Sequence, residues 1–116
     1  MTPPFPEFYS GRSTFSAAGA EILRRFTRSD VFGASHTTLK GTSLVEPGLT
    51  PTTNIALRWE AFSDAESQAG VPRRYGGIHF AEADFSGRIM GRIAGHAAWN
   101  RVHEYLRGVP MTYRNP

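Results

Sequence analysis

The sequence contains no cysteine, which excludes disulfide scaffolds, thiol nucleophiles and cysteine-ligated zinc, although it does not fix a compartment. Lysine is nearly absent as well. Of 13 basic residues only Lys40 is not arginine. No apolar run approaches the roughly 18 residues that would read as a membrane span. The start, MTPPFPEFYSG, lacks the basic segment followed by an apolar stretch that marks a secretory leader. A soluble chain with no signal peptide is therefore expected, its compartment open. There is no internal repeat and no low-complexity tract. What is present is 116 residues, 40% of them hydrophobic and 20% charged, enough for one domain with a modest core and too apolar to be disordered by composition.

The formal net charge is +3, and the arginines that make it are spread from Arg12 to Arg114 with acids between them. They are not gathered as a nucleic-acid reader gathers its cations, so no nucleic-acid partner is expected. Two explanations stay open. The arginines either form a solvated surface, or a few of them grip a compact anion, for which the guanidinium fork is suited.

Residues 1–9 form an extended, proline-rich lead-in. From Ser13 to about Phe26 the pattern is helical, with Phe15, Gly19, Ile22 and Phe26 spaced to share one face, Ser10 or Ser13 as N-cap, and Arg24, Arg25 and Arg28 at the end that favours cations. Residues 30–54 read as irregular, with a small hairpin of Thr37, Thr38 and Leu39 against Leu44 and Val45 around Lys40-Gly41. A second helix is expected from Thr52, with Ile55, Trp59 and Phe62 on one face and Gly70 closing it. Val71 to Ala83 reads as a loop. A third helix is expected from about Asp84 to Leu106, with Phe85, Ile89, Ile93 and Ala97 inward and Gly91 and Gly95 admitting a close neighbour. The expected class is mainly α.

Two loops could carry chemistry. In Tyr9-Ser10-Gly11-Arg12-Ser13-Thr14, a Ser-Gly step feeds a helix N-terminus, which presents free N–H groups, a hydroxyl and the positive end of the dipole; an ordinary N-cap would carry the same residues. In Pro72-Arg73-Arg74-Tyr75-Gly76-Gly77-Ile78-His79-Phe80, two arginines, a flexible Gly-Gly and an imidazole could line a cationic pocket; a plain turn with a packed histidine is the alternative. Together the loops supply dipole, hydroxyl, guanidinium and imidazole, a set that suits a phosphate-like ion. Other groupings carry less. His79, Glu82 and Asp84 match no known metal spacing, His96 and His103 share a helix face as packed or half-exposed residues, Ser10 lacks the G-x-S-x-G elbow of a hydrolase, and Trp59, Tyr75 and Trp99 read as core or rim aromatics.

At these residues the sequence resembles the vanadium-dependent haloperoxidases, within the superfamily of type-2 phosphatidic acid phosphatases and bacterial acid phosphatases. PPFPEFYSGRSTFSAAGAEIL is similar to the PSGH region of the bacterial haloperoxidase-like branch, and AGVPRRYGGIHF followed by Ala83-Asp84, Gly87 and Gly91 is similar to the third motif, SRxxxxxH. The similarity covers roughly residues 2–28 and 55–98. It implies a partial helical bundle of the haloperoxidase/acid phosphatase type, about three helices with a loop or small hairpin insertion, and residues 1–116 as a single C-terminal part of such a domain. It also implies that Ser10 and Gly11 contact the oxygens of vanadate or phosphate, that Arg73 clamps the oxyanion, that His79 is the imidazole that binds vanadium or attacks phosphorus, and that Asp84 either orients the other ring nitrogen of His79 or serves as an exposed helix cap. Arg12 stands at the family's general acid/base position, normally histidine. Pro72 and Tyr9 replace the serine of the third motif and the proline of PSGH, and no segment matches the upstream Lys/Arg motif, since Lys40 lies on the wrong side of the Ser-Gly loop.

The activity so implied is that of a vanadium haloperoxidase, with vanadate as cofactor and hydrogen peroxide and a halide as small-molecule substrates. The alternatives are an acid phosphatase-like phosphomonoesterase with a histidine nucleophile acting on a phosphate ester, or an inactive helical remnant. A homo-oligomer is possible on this reading, and the isolated chain is expected to be incomplete as an enzyme.

Overall fold

A computed structural model describes residues 3–109; Arg114, among the arginines named above, lies outside them. The elements run α1 (Gly11–Thr27), β1 (Val31–Thr38), β2 (Ile55–Ala61), α2 (Phe62–Tyr75) and α3 (Ala81–Leu106). The chain is mainly α, with three helices and one two-stranded antiparallel hairpin among the described residues, as the sequence led one to expect.

The helices meet through small residues. On α1 the buried positions are Ser13, Ala17 and Ala20, and on α3 they are Ala83, Asp84, Gly87, Gly91 and Gly95. A Cβ on Gly87 would lie 2.7 Å from the Ser10 carbonyl oxygen, and one on Gly95 would lie 2.8 Å from that of Ala18, so the two backbones touch along three turns. Gly91 and Gly95 do admit a close neighbour. The residues expected inward are not there: Phe15, Phe26, Phe85, Ile89, Ile93 and the smaller Ala97 are all exposed. Both sets of residues satisfy a helical period, and a glycine stripe allows van der Waals contact between backbones that a stripe of Phe and Ile would hold apart.

The middle of the chain also differs from expectation. Ile55–Ala61 is a strand and not the start of the helix expected from Thr52, because Leu57, Trp59 and Ala61 alternate with Ala56, Arg58 and Glu60 in burial; Ile55 and Trp59 fit a period of 3.6 as well as one of 2, which is why the pattern reads as helical. Its partner is β1, with His36 opposite Leu57 and Ala34 opposite Trp59. The register shifts between Val31 and Ala34, where Gly33 supplies a φ of +64°. The pairing expected between Thr37–Leu39 and Leu44–Val45 does not form, and Lys40-Gly41 belongs to a long loop closed by Gly41 N–H to Pro51 O at 2.9 Å and Ser43 N–H to Thr50 O at 2.9 Å.

Phe62 opens α2, with its N–H bonded to Asp30 O at 2.8 Å and the Asp30 carboxylate accepting from Ser63 N at 3.1 Å. Gly70 does not close this helix. It lies within it because the Asp84 carboxylate and the Ser13 hydroxyl occupy the space that a Cβ would need, and the helix continues through Pro72 to Tyr75. Glu66, buried on α2, ties the three helices by ion pairs to Arg24 of α1 at 3.3 Å and Arg92 of α3 at 2.6 Å.

Candidate functional site

Ser10 is the N-cap of α1, fixed by its N–H to Ala83 O at 3.1 Å, so the start of α1 is pinned against the start of α3. The first intrahelical bond is Thr14 N–H to Ser10 O at 3.0 Å, which leaves the amides of Gly11 and Arg12 ahead of it without a backbone acceptor. Arg12 projects at the same end, where the helix dipole is positive.

The second loop is closed on itself. Arg73 O accepts from Ile78 N at 3.0 Å and His79 N at 3.3 Å, and Gly77 turns the chain at φ +67°, a region open to glycine at little cost. That double bond to one carbonyl fixes the spacing between Arg73 and His79. The two loops then meet: Gly11, Arg12, Ser16, Arg73 and His79 line one cleft of about 710 Å³ together with Phe5, Pro6, Phe8, Tyr9 and Phe15. The Arg73 Nε is buried with no hydrogen-bond partner among the described residues, and a buried guanidinium N–H without an acceptor is costly unless a ligand supplies one.

His79 is 5% exposed. Its Nδ1 lies 2.7 Å from Glu7 O and 3.5 Å from the Glu7 carboxylate. A carbonyl oxygen can only accept, so Nδ1 carries the hydrogen, and in the neutral ring Nε2 holds the lone pair. Phe5 stacks on the imidazole with ring centroids 6.0 Å apart, and Glu7 also accepts from Phe80 N at 2.7 Å. Glu7 thus sets both the tautomer and the position of His79, and sequence reasoning did not single it out. The signal was there in PPFPEF, the one acid in an apolar lead-in that runs up to the Ser-Gly step.

Two residues expected at the site, Asp84 behind His79 and Ser10 on the anion, are elsewhere. Asp84 does not reach His79, nor is it an exposed cap. Fully buried, it accepts from Arg88 Nε at 2.9 Å and Nη2 at 2.7 Å and from Ser13 Oγ at 2.7 Å, with Arg74 at 3.9 Å. Burial pushes its carboxyl up, but the bonds from Arg88 and Ser13 and the charges of Arg88 and Arg74 outweigh that and hold it below the usual carboxylate range. Ser10 is also fully buried. Ser13 has one hydroxyl proton and must give it to the carboxylate, which only accepts, so the 2.9 Å contact between Ser10 Oγ and Ser13 Oγ is donated by Ser10. The Ser10 hydroxyl is therefore spent on the interior and forms the rear support of the Gly11–Arg12 amides, with no proton to offer the cleft. The structure brings together Gly11, Arg12, Arg73 and His79; it sets Ser10 behind them and Asp84 on the far side of Ser13.

The residues present fit a tetrahedral oxyanion: two open helix-start amides, two guanidinium groups and an imidazole with a fixed lone pair. The family model of the VCPO second helical-bundle domain matches residues 1–108. Among solved structures, the chain is similar to a bacterial vanadium-dependent chloroperoxidase in its holo form, with a TM-score of 0.85 and 25% identity over 92% of this chain and 23% of that one. The apo form gives a TM-score of 0.86 at the same identity and coverage. A bacterial vanadium-dependent iodoperoxidase gives 0.62 at 33% identity over 86% of this chain and 21% of that one. The chain spans less than a quarter of the length of each of these. No curated protein sequence matches it.

Proposed function

Because the chain belongs to the VCPO second helical-bundle family, we propose that it contributes the oxyanion-holding part of a vanadium haloperoxidase site, with vanadate as the anion. The observation that carries this is that Arg73, whose buried Nε has no hydrogen-bond partner among the described residues, lines the same cleft as His79 and the start of α1. Gly11 and Arg12 would hold anion oxygens through amides and charge, Arg73 would neutralise charge, with an anion oxygen as the acceptor its Nε–H lacks among the described residues, and His79 would ligate through Nε2 while Glu7 O holds Nδ1–H. When bound, vanadate supplies a Lewis-acidic centre at which hydrogen peroxide is activated to oxidise halide.

Arg12 places a guanidinium where the family's acid/base histidine is expected, and a guanidinium binds charge without shuttling protons. This disfavours the phosphomonoesterase reading, because a departing alkoxide needs a proton and His79, as nucleophile, could not also provide it. With two fixed cations at the cleft and no match to the family's upstream Lys/Arg motif, binding by this chain is expected to be weak, since a multiply charged oxide leaving water needs many donors. Vanadium NMR of the chain titrated into vanadate tests the reading. We expect line broadening with affinity weaker than micromolar, reduced roughly tenfold or more in Arg73→Ala, the loss of charge-assisted bonds worth about 1.5–3 kcal/mol. Equal broadening by wild type, Arg73→Ala and His79→Ala would refute it. Hydrolysis of an aryl phosphate, inhibited by vanadate, would favour the phosphatase instead.

A further inference from the structure

We propose that the cleft takes an aryl oxyanion, a ligand whose anionic group lies against Gly11, Arg12, Arg73 and His79 while its aromatic ring lies against Phe8, Tyr9 and Phe15. The inference rests on the oxyanion reading above and adds the substrate class. A cleft of about 710 Å³ is within the range of small-molecule sites and far larger than a bare tetrahedral oxide requires. Half of its lining is apolar, and that half is aromatic apart from Pro6. Phe15 follows Arg12 by three residues on α1, so ring and guanidinium stand on the same face of the first turn. Phe8 and Tyr9 lie ring to ring, with centroids 4.2 Å apart.

Phe8 is 53% exposed, Tyr9 48% and Phe15 83%. Three rings left open beside two guanidinium groups present an apolar wall next to a cationic floor, and the ligand complementary to both carries negative charge at one end and a π-face at the other. Offset or edge contacts with two or three rings favour an aromatic group over an alkyl group of similar size. Phe5 is already engaged on His79 and is left out of the ring subsite for that reason.

The test is a titration of the chain followed by its backbone amide shifts, at one pH, with inorganic phosphate, methylphosphonate and phenylphosphonate as probes. All three are expected to move the Gly11 and Arg12 amides, with phenylphosphonate bound at least about fivefold more tightly than methylphosphonate. Phe15→Ala and, separately, Phe8→Ala should bring that ratio close to one and leave methylphosphonate affinity unchanged. Both side chains are exposed, so neither truncation removes core. Equal affinities for the two phosphonates in the wild type would overturn the aryl subsite and leave the oxyanion cradle standing. An aryl preference that survives both truncations would place the ring elsewhere and also overturn it. No movement of the Gly11 and Arg12 amides with any probe would overturn the oxyanion reading, and this inference with it.

Discussion

The serine that matches a family anion-binding position illustrates how a side chain's role depends on what lies behind it. Ser10 gives its proton to Ser13, and Ser13 gives its own to Asp84, so a carboxylate buried between α1, α2 and α3 anchors the Gly11–Arg12 amides from the rear. Removing that charge should be costly. Asp84→Asn leaves Arg88, 11% exposed, without its counter-ion, and we expect a loss of about 3–5 kcal/mol in urea denaturation at pH 7. The sign of the pH effect follows from the lowered carboxyl. Its contribution is fully present above the unfolded value of about 3.9 and is lost as pH falls through the lower folded value. The stability gap between wild type and Asp84→Asn should therefore be flat from pH 7 to 5 and shrink below about pH 4; a gap that widens on acidification would contradict it. At the cleft, Arg12→His exchanges a permanent charge for a titratable one. Phosphate affinity of the variant should match wild type near pH 5.5 and fall severalfold by pH 8, read from amide shifts. A loss independent of pH would mean that the guanidinium geometry matters more than its charge.

At the scale of elements, one residue type has opposite effects on two helices. Gly19 is exposed on α1, and a Cβ added there would meet nothing within 4 Å, so Gly19→Ala should stabilise by about 0.5–1 kcal/mol through backbone entropy alone. A Cβ added to Gly91 on α3 would run into the Thr14 carbonyl oxygen and lie 2.7 Å from the Ala17 methyl and 3.0 Å from the Ala18 amide nitrogen. The same gain in helix propensity is available there, yet the methyl would push α3 off α1, and we expect Gly91→Ala to cost about 1–3 kcal/mol net. Thermal unfolding of the two variants should shift in opposite directions. If both rise, the α1–α3 contact is loose enough to admit a methyl. The separation of the helices also sets the site, because Ser10 N is bonded to Ala83 O, so Gly91→Ala should also weaken phosphate binding although it lies outside the cleft.

Over the whole molecule, few large apolar groups are covered. The accessible surface is 8699 Å², against about 6300 Å² expected for a compact monomer of this mass. The radius of gyration is 17.9 Å, against about 13 Å for a compact domain of this length. Among the described residues the buried hydrophobics are Ala17, Ala20, Phe62 and Ala83, while Phe26, Phe85, Ile89 and Ile93 are open to solvent. No helix among the described residues is long and apolar enough to cross a membrane. A chain with this surface should bind a hydrophobic dye such as ANS in its native state, and Ile89→Glu with Ile93→Glu should lower the signal without lowering the unfolding midpoint, since neither side chain is in the core. A fall in the midpoint would show that this face is packed.

The sequence by itself determined the helical class, a serine cap at Ser10 or Ser13, the sequence spacing of Arg73 and His79, and the glycines at 91 and 95, because each depends on local chemistry or on one periodicity. It could not separate strand from helix over Ile55–Ala61, where the same apolar residues serve both periods, and it placed the core on the wrong faces of α1 and α3. Periodicity reports that a face is apolar, not whether a neighbour covers it, and here backbone contact through Gly87, Gly91 and Gly95 took the place that size and hydrophobicity would have given to Phe and Ile. The same holds at the cleft. Which serine proton goes where, and that Glu7 and not Asp84 holds His79, depend on residues as much as 73 positions apart, from Glu7 to Phe80. Only the packing of three helices could bring them within hydrogen-bond range.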